Sequence, residues 1–206
     1  DEISYLSQPG LSEFSLDPQW FTGLRLFMDM SCKDDPSNPR AGYKWPTTVD
    51  ANFGIYNMPD NYLRLESGLS LYASLWTKNQ YTIAIRFGGA HNFGTFPFFD
   101  ANTLGGTTNL RGYRSNRFSG RSSLYMNTDL RIGLFKIGGE ILAGSFGVLG
   151  FVDVGRVWTD GESSKKWHPG YGGGIWYDIV GEIVINLSAG FSKEDMFILF
   201  GPGFFF

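Results

Sequence analysis

Hydrophobic and polar residues alternate with a period of two along most of the chain. From 63 to 75 the odd positions read Leu63, Leu65, Ser67, Leu69, Leu71, Ala73, Leu75, and the even ones Arg64, Glu66, Gly68, Ser70, Tyr72, Ser74. A helix would smear these two sets around its axis, whereas a strand puts one on each face. The pattern returns with Tyr81, Ile83, Ile85 and Phe87 against Thr82, Ala84, Arg86 and Gly88. It returns again with Leu124, Met126, Thr128, Leu130 and Ile132 against Tyr125, Asn127, Asp129, Arg131 and Gly133. A fourth run sets Ile183, Ile185, Leu187, Ala189 and Phe191 against Glu182, Asn186, Ser188 and Gly190. About nine strands follow at ordinary lengths: 20–32, 41–56, 61–76, 80–93, 122–136, 144–158, 169–180, 182–194 and 196–206.

Most connections are short, which suits sequential antiparallel strands. The run Asp34-Asp35-Pro36-Ser37-Asn38-Pro39 is turn chemistry, because Asp and Asn cap their own backbone and Pro presets φ. The exception is the long connection 94–121, which shows no clear strand pattern; long loops in compact proteins usually carry function. The segment 1–19 is poorly defined, and no linker divides the chain, so 1–206 reads as one domain.

Composition narrows the class. Of 206 residues, 42% are apolar, 17% aromatic and only 18% charged, with 28 glycines, so the chain buries too much apolar surface to be disordered. A net charge of −3 without a basic run argues against nucleic acid as a partner. A single Cys32 excludes an internal disulfide and a cysteine-rich metal site. His91 and His168 are not placed at metal-ligand spacing from carboxylates, so no metal is expected. Gly172-Gly173-Gly174 lacks the Lys-Ser/Thr and helix of a phosphate loop. No run of roughly 18 apolar residues exists for a membrane helix. Two all-β architectures remain: a sandwich with its apolar faces buried together, and a membrane barrel that turns them to lipid. The long segments, the charges at mid-strand and aromatics near strand ends (Tyr62, Trp76, Tyr81, Trp158, Trp167, Phe204) favour an antiparallel transmembrane β-barrel, since such girdles mark bilayer interfaces.

Three features then resemble a family. The chain ends Gly201-Pro202-Gly203-Phe204-Phe205-Phe206, with Ile198 and Phe200 at alternate positions before it. The long connection holds Asn109-Leu110-Arg111-Gly112-Tyr113-Arg114, and downstream comes Phe151-Val152-Asp153-Val154-Gly155. Together these resemble the C-terminal barrel of the BamA/TamA-type outer-membrane assembly and translocation proteins, the bacterial surface antigen family. The resemblance implies a (V/L)-R-G-(F/Y) motif at the tip of an extracellular loop, 94–121, folded into the lumen. It also implies an F-x-D-x-G strand whose aspartate meets the loop arginine. The motif residues are then Leu110, Arg111, Gly112 and Tyr113, and the luminal partners Asp153 and Gly155, with Asp129 in reserve. Family barrels have sixteen strands, so nine match the last half, and no periplasmic repeats are seen here.

The function implied is insertion or translocation of other proteins at the bacterial outer membrane, with no bond made or broken and no cofactor. Expected partners are outer-membrane lipids and lipopolysaccharide, client outer-membrane or secreted proteins, and accessory lipoproteins. Two alternatives stay open: a membrane-anchoring barrel for an upstream phosphoesterase or lipase-like domain, and a passive structural barrel or small pore. Gly201, Pro202 and Gly203 are poor sheet formers, so 196–206, ending on Phe206, is expected to be a weakly paired seam strand.

Overall fold

In the computed structural model, which describes residues 20–56, 60–75, 81–139, 143–161 and 165–206, the chain is all antiparallel β. Segment 1–19 and Trp76 lie outside the described residues. Four strands open the sheet: β1 (Trp20–Lys33), β2 (Gly42–Tyr56), β3 (Tyr62–Ser74) and β4 (Tyr81–Phe93). The long connection holds a 3₁₀ turn, Phe98–Asp100, and two short strands, β5 (Asn102–Leu104) and β6 (Phe118–Gly120). Five strands complete the wall: β7 (Ser122–Ile137), β8 (Gly144–Trp158), β9 (His168–Ile179), β10 (Ile183–Phe191) and β11 (Met196–Pro202). Nine of them form one sheet in sequence order, β1-β2-β3-β4-β7-β8-β9-β10-β11, while β5 and β6 pair separately.

The sheet is open, with β1 and β11 as its edges, as expected for part of a barrel. It is also strongly curved. Across the sheet, the Ser37 hydroxyl in the β1–β2 turn donates to the Glu182 carbonyl at 2.8 Å, and Asn38 Nδ2 donates to Asp178 Oδ2 at 3.1 Å. That turn is held by its own carboxylates. Asp34 Oδ1 accepts the N–H groups of Asp35, Arg40 and Ala41 at 2.9–3.0 Å. Partial burial would raise the Asp34 pKa, but the backbone donors outweigh it and hold the carboxyl below its ordinary range.

The two faces follow the alternation. Leu124, Leu130, Val152, Ile185, Leu187, Ile198 and Phe200 stand exposed on the outer face, where a barrel meets lipid. The inner face carries the polar set, and Asn127, Asp129, Arg131 and Asp153 on it are buried. Small residues and a bulky row share this face. Leu149, Phe151, Trp176 and Val184 cluster there, with Leu199 and Phe204 against them.

Three expectations need correction. The last strand stops at Pro202 rather than running to Phe206, because Gly203 adopts φ +76° and turns the chain off the sheet. Tyr62 belongs to no girdle; it is buried, and its hydroxyl bonds the Asp100 carboxylate. Phe204 sits edge-on to Trp176 on the inner face, with ring centroids 5.7 Å apart.

The face assignment predicts unequal tolerance to charge. Val152→Arg, placed on the outer face near mid-strand, should lower stability by about 2–4 kcal/mol in urea unfolding from bilayers. Glu66→Gln, which removes only a half-exposed inner-face pair with Arg64, should change it by less than about 1 kcal/mol. Equal losses would contradict the assignment.

Candidate functional site: the loop arginine on the inner wall

The loop 94–121 folds onto the inner face and carries its own small core. Leu104, Leu110, Tyr113 and Phe118 bury one another, with Tyr125 and Val157 of the wall packed against them. β5 and β6 form a short hairpin, Asn102↔Gly120 to Leu104↔Phe118. Polar side chains then satisfy the backbone that such a buried loop exposes. Asn109 Nδ2 donates to the Thr103 carbonyl at 2.8 Å, and its Oδ1 accepts the Gly105 N–H at 2.8 Å. From the wall, Asn127 Nδ2 donates to the Asn109 carbonyl at 2.9 Å and Arg86 Nη2 to the Thr108 carbonyl at 2.7 Å.

Strand register makes the docking surface. One cross-strand row runs Arg86–Asn127–Asp153–Gly170, and the next runs Ala84–Asp129–Phe151–Gly172–Gly190. Polar and aromatic groups occupy β7 and β8, and bare backbone occupies β9 and β10. Gly112 lies against that bare backbone with φ +89°, a conformation that side chains resist. A Cβ on Gly112 would stand 2.6 Å from the Phe191 carbonyl, and one on Gly190 would stand 2.9 Å from the Gly112 nitrogen. A Cβ on Gly170 would strike the Arg111 carbonyl, and one on Gly155 would stand 2.8 Å from Leu104 Cδ1. Contact at that range is closer than a Cβ tolerates, so the wall glycines set how deep the tip can sink.

At the tip, Arg111 is 2% exposed, and its partners Asp129 and Asp153 are 1% and 0% exposed. Arg111 Nε donates to Asp153 Oδ2 at 2.8 Å and Nη2 to Asp153 Oδ1 at 2.7 Å. This is the two-point fork geometry that favours arginine over lysine. The Arg111 backbone N–H adds a third bond to Asp153 Oδ2 at 2.9 Å. Nη2 also donates to Asp129 Oδ1 at 2.7 Å, so Asp129 takes part directly and is more than a reserve. Below the guanidinium lies the Phe151 ring, 3.7 Å from Cζ to centroid.

The neighbouring motif residues do separate jobs. Leu110 fills the loop core. Tyr113 packs edge-on to Phe118 at 5.2 Å and donates its hydroxyl to the Pro169 carbonyl at 3.0 Å. Phe118 in turn stacks on His168 with centroids 3.7 Å apart. Further out, the loop is tied by ion pairs, Arg117–Glu194 at 2.7 Å and Arg121–Asp160. The Arg121 bonds, ahead of an opposing burial effect, hold the Asp160 carboxyl below its ordinary range.

Of the expected seam residues, Gly201 and Pro202 lie on β11, which pairs β10 alone. Gly203 and Phe206 lie beyond it, and the structure brings Phe206 to the inner face near Arg86 and Arg131. Sequence reasoning missed Arg86 and Arg131 as members of this cluster. Their parity with Asn127 and Asp129 was the available signal. Among the described residues no group of His, Cys, Asp and Glu is placed to hold a metal ion.

This geometry predicts coupled losses. Arg111→Ala leaves the Asp153 carboxylate buried without a cation, and Asp153→Ala strips the buried Arg111 of its two-point partner, so each should lower unfolding free energy by about 3–5 kcal/mol. The double variant should lose far less than the sum of the two. Asp129→Ala removes one charge-assisted bond to Arg111 and the carboxylate 3.6 Å from the buried Arg131, and should lose about 3–5 kcal/mol. Urea titrations in bilayers measure all four, and additive losses would show that the pair does not act as a unit.

Comparison with known proteins places the chain. A family model described as the Omp85 superfamily domain matches residues 11–195. No curated protein is significantly similar in sequence. Among solved structures, BamA from Haemophilus ducreyi lacking POTRA domains 1–3 superposes with a TM-score of 0.69 at 15% identity. The match covers 88% of this chain and 42% of that one, so the chain spans less than half of the BamA polypeptide it resembles. With the family model covering most of its length, this chain belongs to the Omp85 superfamily and is an outer-membrane β-barrel chain of bacteria.

Proposed function

We propose that this chain forms one side of a barrel that inserts other proteins into the outer membrane or passes them across it. The observation that carries this reading is the combination of a locked loop and a short last strand that ends at a proline. The loop tip is clamped inside the wall by Arg111, Asp129 and Asp153. Meanwhile β11, only seven residues long, pairs β10 and ends at Pro202. A short edge strand ending at a proline is a weak seam, because proline donates nothing to a ladder. An incoming client strand would complete its own backbone bonding against such an edge and escape the penalty of unpaired polar groups in lipid. Burial of the client's apolar surface would supply the energy.

The loop 94–121 would then enter from the extracellular side, and Leu110, Arg111, Gly112 and Tyr113 would hold the inner wall in shape while the seam works. Client outer-membrane or secreted proteins are the proposed substrates. Accessory lipoproteins, outer-membrane lipids and lipopolysaccharide are the proposed neighbours. The packed loop argues for this reading over a passive pore, since Leu104, Leu110, Tyr113 and Phe118 fill space that a pore would leave to water.

The test uses the full-length protein in liposomes. A cysteine replacing Ile198 on β11 is oxidatively joined to a cysteine on the strand facing it across the seam. Locked protein should insert client barrels at least about tenfold more slowly, with recovery on reduction. Unchanged insertion with the bond intact would contradict lateral opening. Client insertion no faster than in liposomes lacking the protein would favour an anchoring role.

A further inference from the structure

The residues after β11 make contacts that neither the strand pattern nor the loop motif announces. At Gly203 the chain leaves the sheet and turns onto the inner face. The Gly203 N–H donates to the Val184 carbonyl at 2.7 Å, and Asn186 Nδ2 donates to the Gly203 carbonyl at 2.7 Å. Three consecutive phenylalanines then meet three arginines of the inner cluster. Phe204 lies 3.8 Å from Arg131 Cζ, Phe205 4.2 Å from Arg111 Cζ, and Phe206 5.0 Å from Arg86 Cζ, measured to ring centroids. Arg131 Nη2 also donates to the Phe206 carbonyl at 2.9 Å.

The Arg111 guanidinium therefore has two aromatic neighbours, Phe151 at 3.7 Å and Phe205 at 4.2 Å. Its edges are taken by the two aspartates. The wall supplies Phe151 and the carboxylates, the loop supplies the arginine, and the segment following the edge strand supplies Phe205. A stacked ring stabilises a guanidinium most where water is excluded, and this one is almost fully buried.

We infer that Phe205 is a positioning residue that couples the edge strand β11 to the loop clamp: the loop is held fast while residues 203–206 lie on the inner face, and loosens when β11 swings away. A second tether reinforces the link from the other end of β11. Arg117 pairs with Glu194 at 2.7 Å and Arg114 with Asp195 at 3.6 Å, both acids lying in the β10–β11 connection. Displacing β11 thus removes loop contacts at both ends. Coupling of this kind is reciprocal, so loosening the loop must also loosen the segment. The inference concerns how the barrel parts move and stands apart from which protein is carried. A failure here leaves the proposed insertion activity untouched, since the test contains no client.

Hydrogen exchange of the full-length protein in lipid nanodiscs, read by mass spectrometry on peptides, tests it. Phe205→Leu keeps an apolar side chain and removes the ring. It should speed exchange across 105–113 at least tenfold while strands β3 and β4 stay within twofold of wild type. Phe205→Trp should restore wild-type protection. Phe200→Leu, on the lipid side of β11, should leave the loop unchanged. From the other side, Arg111→Lys keeps the charge and removes the planar stack, and should speed exchange across 196–206. This arm reads the same coupling should the leucine variant not fold. Loop exchange within twofold of wild type in Phe205→Leu would overturn the inference. So would uniform acceleration of the whole sheet, or 196–206 unaffected by Arg111→Lys.

Discussion

Everything distinctive about this structure depends on keeping the Arg111 charge inside the wall without water. Burying a guanidinium alone is prohibitive; burying it against matched, well-aimed carboxylates is feasible though seldom stabilising relative to an apolar core. The inner cluster meets this condition as a unit. At its centre Arg111 and Arg131 stand against Asp129 and Asp153, all four buried, while Arg86 beside them is bonded to the Asn127 side chain and the Thr108 carbonyl. Asp129 bridges the set, with one oxygen on Arg111 at 2.7 Å and the other 3.6 Å from Arg131. The cost of such an arrangement is weighed against specificity: the fork, the second aspartate and the Phe151 ring admit one loop position.

The surrounding sequence follows from that position. For Arg111 to reach Asp153, the loop backbone must touch the wall, and so β9 and β10 present Gly170 and Gly190 where other strands carry side chains, while Gly172 makes room for the Phe151 ring. For the loop to survive without water, its carbonyls and amides need partners, which Asn109, Asn127 and Arg86 provide. For its apolar side to be stable, Leu104, Leu110, Tyr113 and Phe118 gather into a core of their own. Glycine content, asparagine placement and aromatic clustering are three answers to one constraint. The outer face shares none of them and is simply apolar, with Val152 beside Asp153 on the same strand yet facing the opposite way.

Much of this was legible in the residue order. Period-two alternation located all nine wall strands to within a few residues, because each strand has one apolar face and a one-residue slip would turn it inside out. Alternation put Asp129 on the polar face of its strand and set Asp153 opposite Val152 and Val154; the family resemblance turned that face inward and named the loop arginine as its partner. The hairpin β5–β6 escaped notice because three-residue strands inside a loop carry no usable alternation. Tyr62 shares parity with Arg64 and Glu66, so its inward position was readable, but its place at a strand end suggested an interface. Phe204 to Phe206 were not readable by parity at all. Gly203 at φ +76° breaks the strand before them, and after such a break alternation no longer reports which face a residue joins. The role of Arg86 and Arg131 went unseen for the related reason that a mid-strand arginine on a polar face looks solvated until the loop is known to cover it.

The central claim is that the Arg111 guanidinium is held dry between its carboxylates, and side-chain proton exchange measures that directly. In the full-length protein labelled with ¹⁵N-arginine, the Arg111 Nε–H should exchange with water at least a hundredfold more slowly than that of Arg25. Arg25 also pairs with an aspartate, Asp50, but its side chain is 71% exposed, so the comparison isolates burial from pairing. Slow exchange that becomes fast in Asp153→Asn is the result the structure predicts. Equal exchange at Arg111 and Arg25 would show a hydrated, mobile loop tip and would contradict it.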